Sequence, residues 1–103
     1  MSQALEQVRK QFGQNYPLVI NHKKFESGSW IESRCPSHHK EIVGRAASAT
    51  ISQAEEAIRA SHTAFEKWRD TPVADRAKVL TNAAKIMRDR RFELSAWIVH
   101  ESG

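Results

Sequence analysis

A chain of 103 residues, 40% hydrophobic and 27% charged, is bounded to one small unit with a modest core, and a core this thin usually wants a partner. A net charge of +4 is basic without being extreme, so nucleic acid is permitted but not demanded. One cysteine excludes an internal disulfide. No apolar run approaches the roughly 20 residues that span a bilayer, and the first residues hold no apolar leader, so the expectation is a cytoplasmic protein with neither membrane nor nucleic acid as partner.

In chain order, Leu5, Val8 and Phe12 recur at helical spacing and predict a short amphipathic helix over residues 3–13, ending before Gly13. The apolar Leu18, Val19 and Ile20 after Pro17, and then Phe25 and Trp30 around a Ser27-Gly28-Ser29 break, predict two antiparallel strands over 16–21 and 24–32. Their turn falls near Asn21-His22-Lys23, although a two-residue hairpin turn favours Gly after Asn. Residues 34–40 read as a loop punctuated by Pro36, and 41–46 as a third strand of a small sheet.

Helical period then takes over. Ser52 followed by Glu55 fits a capping box that starts a helix, with Ala54, Ala57, Ile58, Ser61, Phe65 and Trp68 on one stripe expected to be core. Thr71 as cap and Pro72 at the first position start a second helix, where Asp75 suits the helix dipole. Val73, Ala77, Leu80, Ala84 and Met87 continue the apolar face, a bend is expected near Arg91, and Leu94, Trp97, Ile98 and Glu101 mark another helical face. Gly103 suits a helix stop in a chain that continues.

Chemistry-bearing residues are sparse. His38 and His39 are adjacent and diverge in any regular structure, while His22, His62 and His100 lie far apart, so the histidines read as surface groups without metal-ligand spacing. Cys35 precedes Pro36 in a loop with Arg34, His38 and His39 nearby, yet no orienting base is evident, and it reads as a structural or incidental thiol. The four glycines are isolated, which excludes a glycine-rich dinucleotide turn. The run from Lys85 to Arg91 includes Asp89 and reads as a solvated helix face rather than a phosphate site.

Taken together, Ile20-Asn21-His22-Lys23, Cys35-Pro36, Glu41-Ile42-Val43-Gly44, Ala64-Phe65-Glu66-Lys67-Trp68, the segment from Pro72 through Arg76-Ala77 to Leu80, and Glu101-Ser102-Gly103 form an ordered series. The series resembles the N-terminal region of the aldehyde dehydrogenase superfamily. Tyr16-Pro17-Leu18 and the run from Met87 to Leu94 look more like the branch that oxidises L-glutamate γ-semialdehyde, the open form of 1-pyrroline-5-carboxylate, a branch fused in some bacteria behind a proline dehydrogenase. Two departures stand out: Cys35 where the pattern has Asn, and His22 where it has Gly.

The resemblance implies an α+β fragment: an N-terminal short helix, small antiparallel strands, then two to three amphipathic helices, all part of the α/β coenzyme-binding domain of an aldehyde dehydrogenase. Residues 1–15 are then an N-terminal helix or leader, and 16–103 a partial, truncated dehydrogenase region. The family's nucleophilic cysteine, general-base glutamate and nicotinamide-binding residues lie beyond Gly103, so no catalytic, cofactor-binding or metal residue is assigned here. NAD belongs to the complete family enzyme and is not expected to bind this segment alone. The expected role is an inactive segment partnered by the remainder of the dehydrogenase. The alternative is a non-catalytic module that docks on a dehydrogenase subunit through Phe65, Trp68, Leu94 and Trp97.

Overall fold

A computed structural model describes all of residues 1–103. The order is α1 (Ser2–Arg9), β1 (Gln14–Tyr16), β2 (Leu18–Ile20), β3 (Lys23–Phe25), β4 (Trp30–Arg34), β5 (Ile42–Ala47), α2 (Ile51–Asp70), α3 (Val73–Asp89) and α4 (Arg91–Ser102). The architecture is α+β, with a helix, small strands and three C-terminal helices, as the resemblance implies. No helix is long and apolar enough to cross a membrane.

The strands divide differently from the sequence expectation. β2 and β3 form an antiparallel hairpin with Ile20 opposite Lys23, and the two loop residues take positive φ, 49° at Asn21 and 63° at His22. Both values are those of a type I′ turn, so the hairpin closes at the expected place with His22 accepting a left-handed conformation more often given to Gly. Its strands do not join the main sheet. That sheet has the order β1-β5-β4, in which β4 and β5 are antiparallel but β1 runs parallel to β5, pairing Tyr16 with Ala46. The expected strand over 16–21 is thus two short strands parted at Pro17, which lacks the N–H a continuous ladder needs. The expected strand over 24–32 is likewise parted by the 26–29 turn, where Gly28 has φ 80° and Ser27 Oγ donates to the Ser48 carbonyl. At the sheet centre, Gly44 lets the Tyr16 ring lie across β5; a Cβ there would stand 3.1 Å from Tyr16 Cε2.

α1 stops at Arg9, earlier than the periodicity suggests, because residues 10–13 leave the helix through a turn ending in Gly13 at φ 77°. α1 packs on α4: Val8 and Ala96 are buried, Phe12 meets the His100 ring edge-on at 4.9 Å, and His100 Nε2 lies 3.2 Å from the Leu5 carbonyl. This contact ties residues 1–15 to the rest, and it makes His100 a packing residue rather than the surface histidine the sequence suggests.

α2 begins two residues before the expected box. Thr50 is its cap, with ψ 162°, and its hydroxyl accepts from Gln53 N while the Gln53 side chain accepts from Thr50 N. Both T-x-x-Q and S-x-x-E fit the box pattern, and the extended backbone at Thr50 decides for the first. Thr71 closes α2 instead of opening α3: its Oγ1 donates to the Lys67 carbonyl at 2.8 Å, and Pro72 takes the cap position of α3 without a side-chain bond. The expected bend is present at Arg90, where φ −97° and ψ 14° part α3 from α4.

Candidate functional site

Two surfaces stand out, a cleft and a bare helical face. The cleft, about 690 Å³, lies between the outer face of β4–β5 and α4, and Tyr16, Val43, Arg45, Arg90, Trp97 and Glu101 are among its lining residues. β4 presents Glu32 and Ser33 to it, and Ser33 Oγ donates to Glu101 Oε1 at 3.0 Å, fastening the sheet to α4. Two ion pairs line it. Arg45 Nε reaches Glu32 Oε1 at 3.1 Å and Arg90 Nε reaches Glu93 Oε2 at 2.9 Å.

These pairs favour the charged forms of Glu32 and Glu93. Hydrogen bonds from Arg34, then from Arg45, hold the Glu32 carboxyl below its usual range. Arg90 does the same for Glu93, whose partnership in turn raises the Arg90 guanidinium. Carboxylates held down by guanidinium donors are weak bases, so the cleft offers binding complementarity in preference to proton abstraction. The sign of the pH effect follows. A depressed carboxylate stabilises the fold above the ordinary glutamate range of about 4.3 and loses that contribution as pH falls through its lowered value. NMR titration is therefore expected to give Glu32 a midpoint below that of an unstructured glutamate; an ordinary midpoint would mean that the Arg34–Glu32–Arg45 cluster does not form in solution.

The second surface is larger. α2 and α3 contain no buried residue at all. Ile58 is 68% exposed, Phe65 53% and Leu80 71%, so the stripe expected to be core has nothing over it. Phe65 and Trp68 line an open groove on α2, together with Ala64 and Thr71. Of the four residues expected to dock a partner, Phe65 and Trp68 are on this bare face, whereas Leu94 and Trp97 are half-buried and Trp97 faces the cleft, 6.3 Å from Phe12. Arg76 Nε, on α3, is covered and lacks an acceptor, an exception among buried polar atoms.

Overall dimensions agree. The radius of gyration is 17.1 Å, against about 13 Å for a compact chain of this length. The accessible surface is 8221 Å², against about 5900 Å² for a folded monomer of this mass, and only seven of 103 residues are buried. The helical periodicity reports which face is apolar, and here that face is left exposed.

Cys35 follows β4 and is 4% exposed. Its Sγ lies 3.9 Å from His38 Nδ1, and a Glu41 carboxylate oxygen joins them, all three donor atoms lying within 4.8 Å of one another. Sequence reasoning pairs His38 with His39 and assigns Glu41 to a strand, so it misses this grouping; the i, i+3, i+6 spacing across one loop is the signal that could have found it. His39 takes no part, its carbonyl accepting from Arg34 Nη1 at 3.2 Å.

Comparison with known proteins places this geometry. The aldehyde dehydrogenase family model matches residues 22–103. A 1-pyrroline-5-carboxylate dehydrogenase of Bacillus subtilis is 44% identical over 100 residues, covering 97% of this chain and 19% of that protein. One from Halalkalibacterium halodurans is 40% identical over 101 residues, 98% of this chain and 20% of that one. The crystal structure of 1-pyrroline-5-carboxylate dehydrogenase from Thermus with bound NAD superposes with a TM-score of 0.93 at 39% identity, over 96% of this chain and 19% of that one. Proline utilization A from Bdellovibrio bacteriovorus superposes at 0.89 and 36% identity, over 92% of this chain and 10% of that one. The chain thus spans about a fifth of the length of the curated relatives it matches. Sequence and fold point the same way, and this chain belongs to the aldehyde dehydrogenase family.

Proposed function

We propose that the chain is the N-terminal structural segment of a cytoplasmic, NAD-dependent L-glutamate γ-semialdehyde (1-pyrroline-5-carboxylate) dehydrogenase of proline catabolism, and that it does not turn over substrate by itself. The observation that carries the proposal is the bare apolar face of α2 and α3, on a chain similar over nearly its whole length to a fifth of such enzymes. In the complete enzyme NAD would accept the hydride as the aldehyde is oxidised, and water would supply the second carboxyl oxygen of the released glutamate; the residues for that chemistry belong to the remainder of the catalytic unit. This segment's part is mechanical. Its sheet and α1–α4 pair form a base, and α2 and α3 present Ile58, Phe65, Trp68 and Leu80 to the remainder of the α/β coenzyme-binding domain to which the segment itself belongs.

An NAD-reduction assay on the purified 103-residue chain with glutamate semialdehyde is expected to show no turnover, and turnover above background would overturn the reading. Supplying a complementary dehydrogenase polypeptide that lacks this segment is expected to restore hydride transfer, and Phe65→Asp is expected to lower that restoration by at least about tenfold. Failure of the complementary polypeptide to co-purify with this chain would count against it. The same face, with Phe65 and Trp68 exposed, also suits docking on an intact dehydrogenase subunit. Co-purification with an intact subunit, without gain of activity, would favour that second role.

A further inference from the structure

The loop joining β4 to β5 brings three metal-donor side chains to one place, and the sheet and helices described above do not require them there. Backbone hydrogen bonds shape the loop: His38 N donates to the Cys35 carbonyl at 3.1 Å, Glu41 N to the His38 carbonyl at 2.8 Å, and Cys35 N to the Glu41 carbonyl at 3.1 Å. Two successive turns thus superimpose positions 35, 38 and 41 on one side of the loop, with a third bond closing it. We propose that Cys35, His38 and Glu41 form a divalent-cation site of the zinc class, with a fourth position open to water.

The donor set and its spacing support this. Zinc–sulfur bonds of about 2.3 Å and zinc–nitrogen bonds of about 2.0–2.1 Å, at a tetrahedral angle, set the two donors roughly 3.5 Å apart. Cys35 Sγ and His38 Nδ1 are 3.9 Å apart before any ion draws them in. Thiolate, imidazole and carboxylate together suit zinc, a borderline-soft ion, better than magnesium or calcium, which take oxygen alone.

Charge is also met. Binding replaces the thiol proton by the metal and releases that proton to solvent, so thiolate and Glu41 carboxylate balance the two charges of the ion. Arg9 is ion-paired with Glu41, which gives the ligand carboxylate an outer partner of the kind that orients metal ligands. Arg34, bonded to the His39 carbonyl, pins the loop apex. A bound ion would clip the β4–β5 loop to the end of α1 through the Arg9–Glu41 pair. The site stands independently of the dehydrogenase reading, since none of its residues lies on α2 or α3.

The test is titration of Co²⁺, then Zn²⁺, into the reduced 103-residue chain. The expected result is one equivalent of cobalt with a thiolate-to-metal charge-transfer absorption and tetrahedral d–d bands, both bleached by zinc. Cys35→Ser is expected to abolish the charge-transfer band. His38→Ala and Glu41→Gln are each expected to weaken binding at least about tenfold, and His39→Ala to leave it unchanged. Absence of the charge-transfer band, its survival in Cys35→Ser, or equal weakening by His39→Ala and His38→Ala would overturn the proposal. The three ligands sit in one short loop, so the reading holds whatever the state of the distant helices.

Discussion

In native-state hydrogen exchange, the amides of α2 and α3 are expected to exchange at least about 100-fold faster than those of β5 and α4, a gap of about 2.7 kcal/mol in opening free energy. β5 is paired on both sides, by β1 and β4, and carries the buried Val43 and Ala47. α4 is held by α1 through Ala96 and the His100–Leu5 bond. α2 and α3 bury no residue and, besides limited contact with β2 and α4, have their own ladders, the Thr50–Gln53 box and surface ion pairs such as Arg59–Glu56. Most helical stability in proteins comes from packing an amphipathic face, which α2 and α3 lack here, and exposed ion pairs add little. A complementary dehydrogenase polypeptide should then slow exchange in α2 and α3 selectively. Uniform protection across all four helices of the isolated chain would contradict the view that the bare face awaits an occupant.

The second large effect is expected at the sheet. Val43 is 2% exposed at the centre of β5, and Val43→Asp would bury a carboxylate beside guanidiniums, those of Arg45 and Arg90, that Glu32 and Glu93 already engage. The cost is about 3–5 kcal/mol, and a chain of this length rarely holds more than about 5–15 in total. With so few residues buried, this chain sits at the low end, so the variant is expected to lose the cooperative urea transition seen by circular dichroism. Val19→Asp, at a position 67% exposed on the hairpin, is expected to stay within about 0.5 kcal/mol of the parent. Equal transition midpoints for the two variants would mean that β5 is not the centre of the fold.

Much of this arrangement is legible in the sequence, for reasons that differ by element. The hairpin turn is readable because Asn21 takes left-handed φ readily and two apolar runs flank it. The α3–α4 bend is readable because the apolar stripe shifts there. The parallel pairing of β1 with β5 is not, since Gln14-Asn15-Tyr16 shows no apolar alternation and long-range pairing leaves no local mark. The start of α2 is displaced because two overlapping sequences both satisfy the box pattern. The largest difference concerns the α2 stripe: a 3.6-residue period identifies an apolar face but carries no information on what covers it. The Cys35–His38–Glu41 grouping depends on two consecutive turns, which single-residue propensities do not assemble.

The α1–α4 contact sets the order of events during synthesis. The Leu5 carbonyl and His100 ring are 95 positions apart, so α1 leaves the ribosome long before the α4 surface on which it packs. At roughly 5–20 residues per second that interval lasts about 5–20 seconds. Val8 and Phe12 spend it exposed, while the β4–β5 hairpin, local in sequence, is already able to form. A nascent chain stalled before α4 therefore displays an unpaired amphipathic α1, the kind of surface that a ribosome-associated chaperone binds.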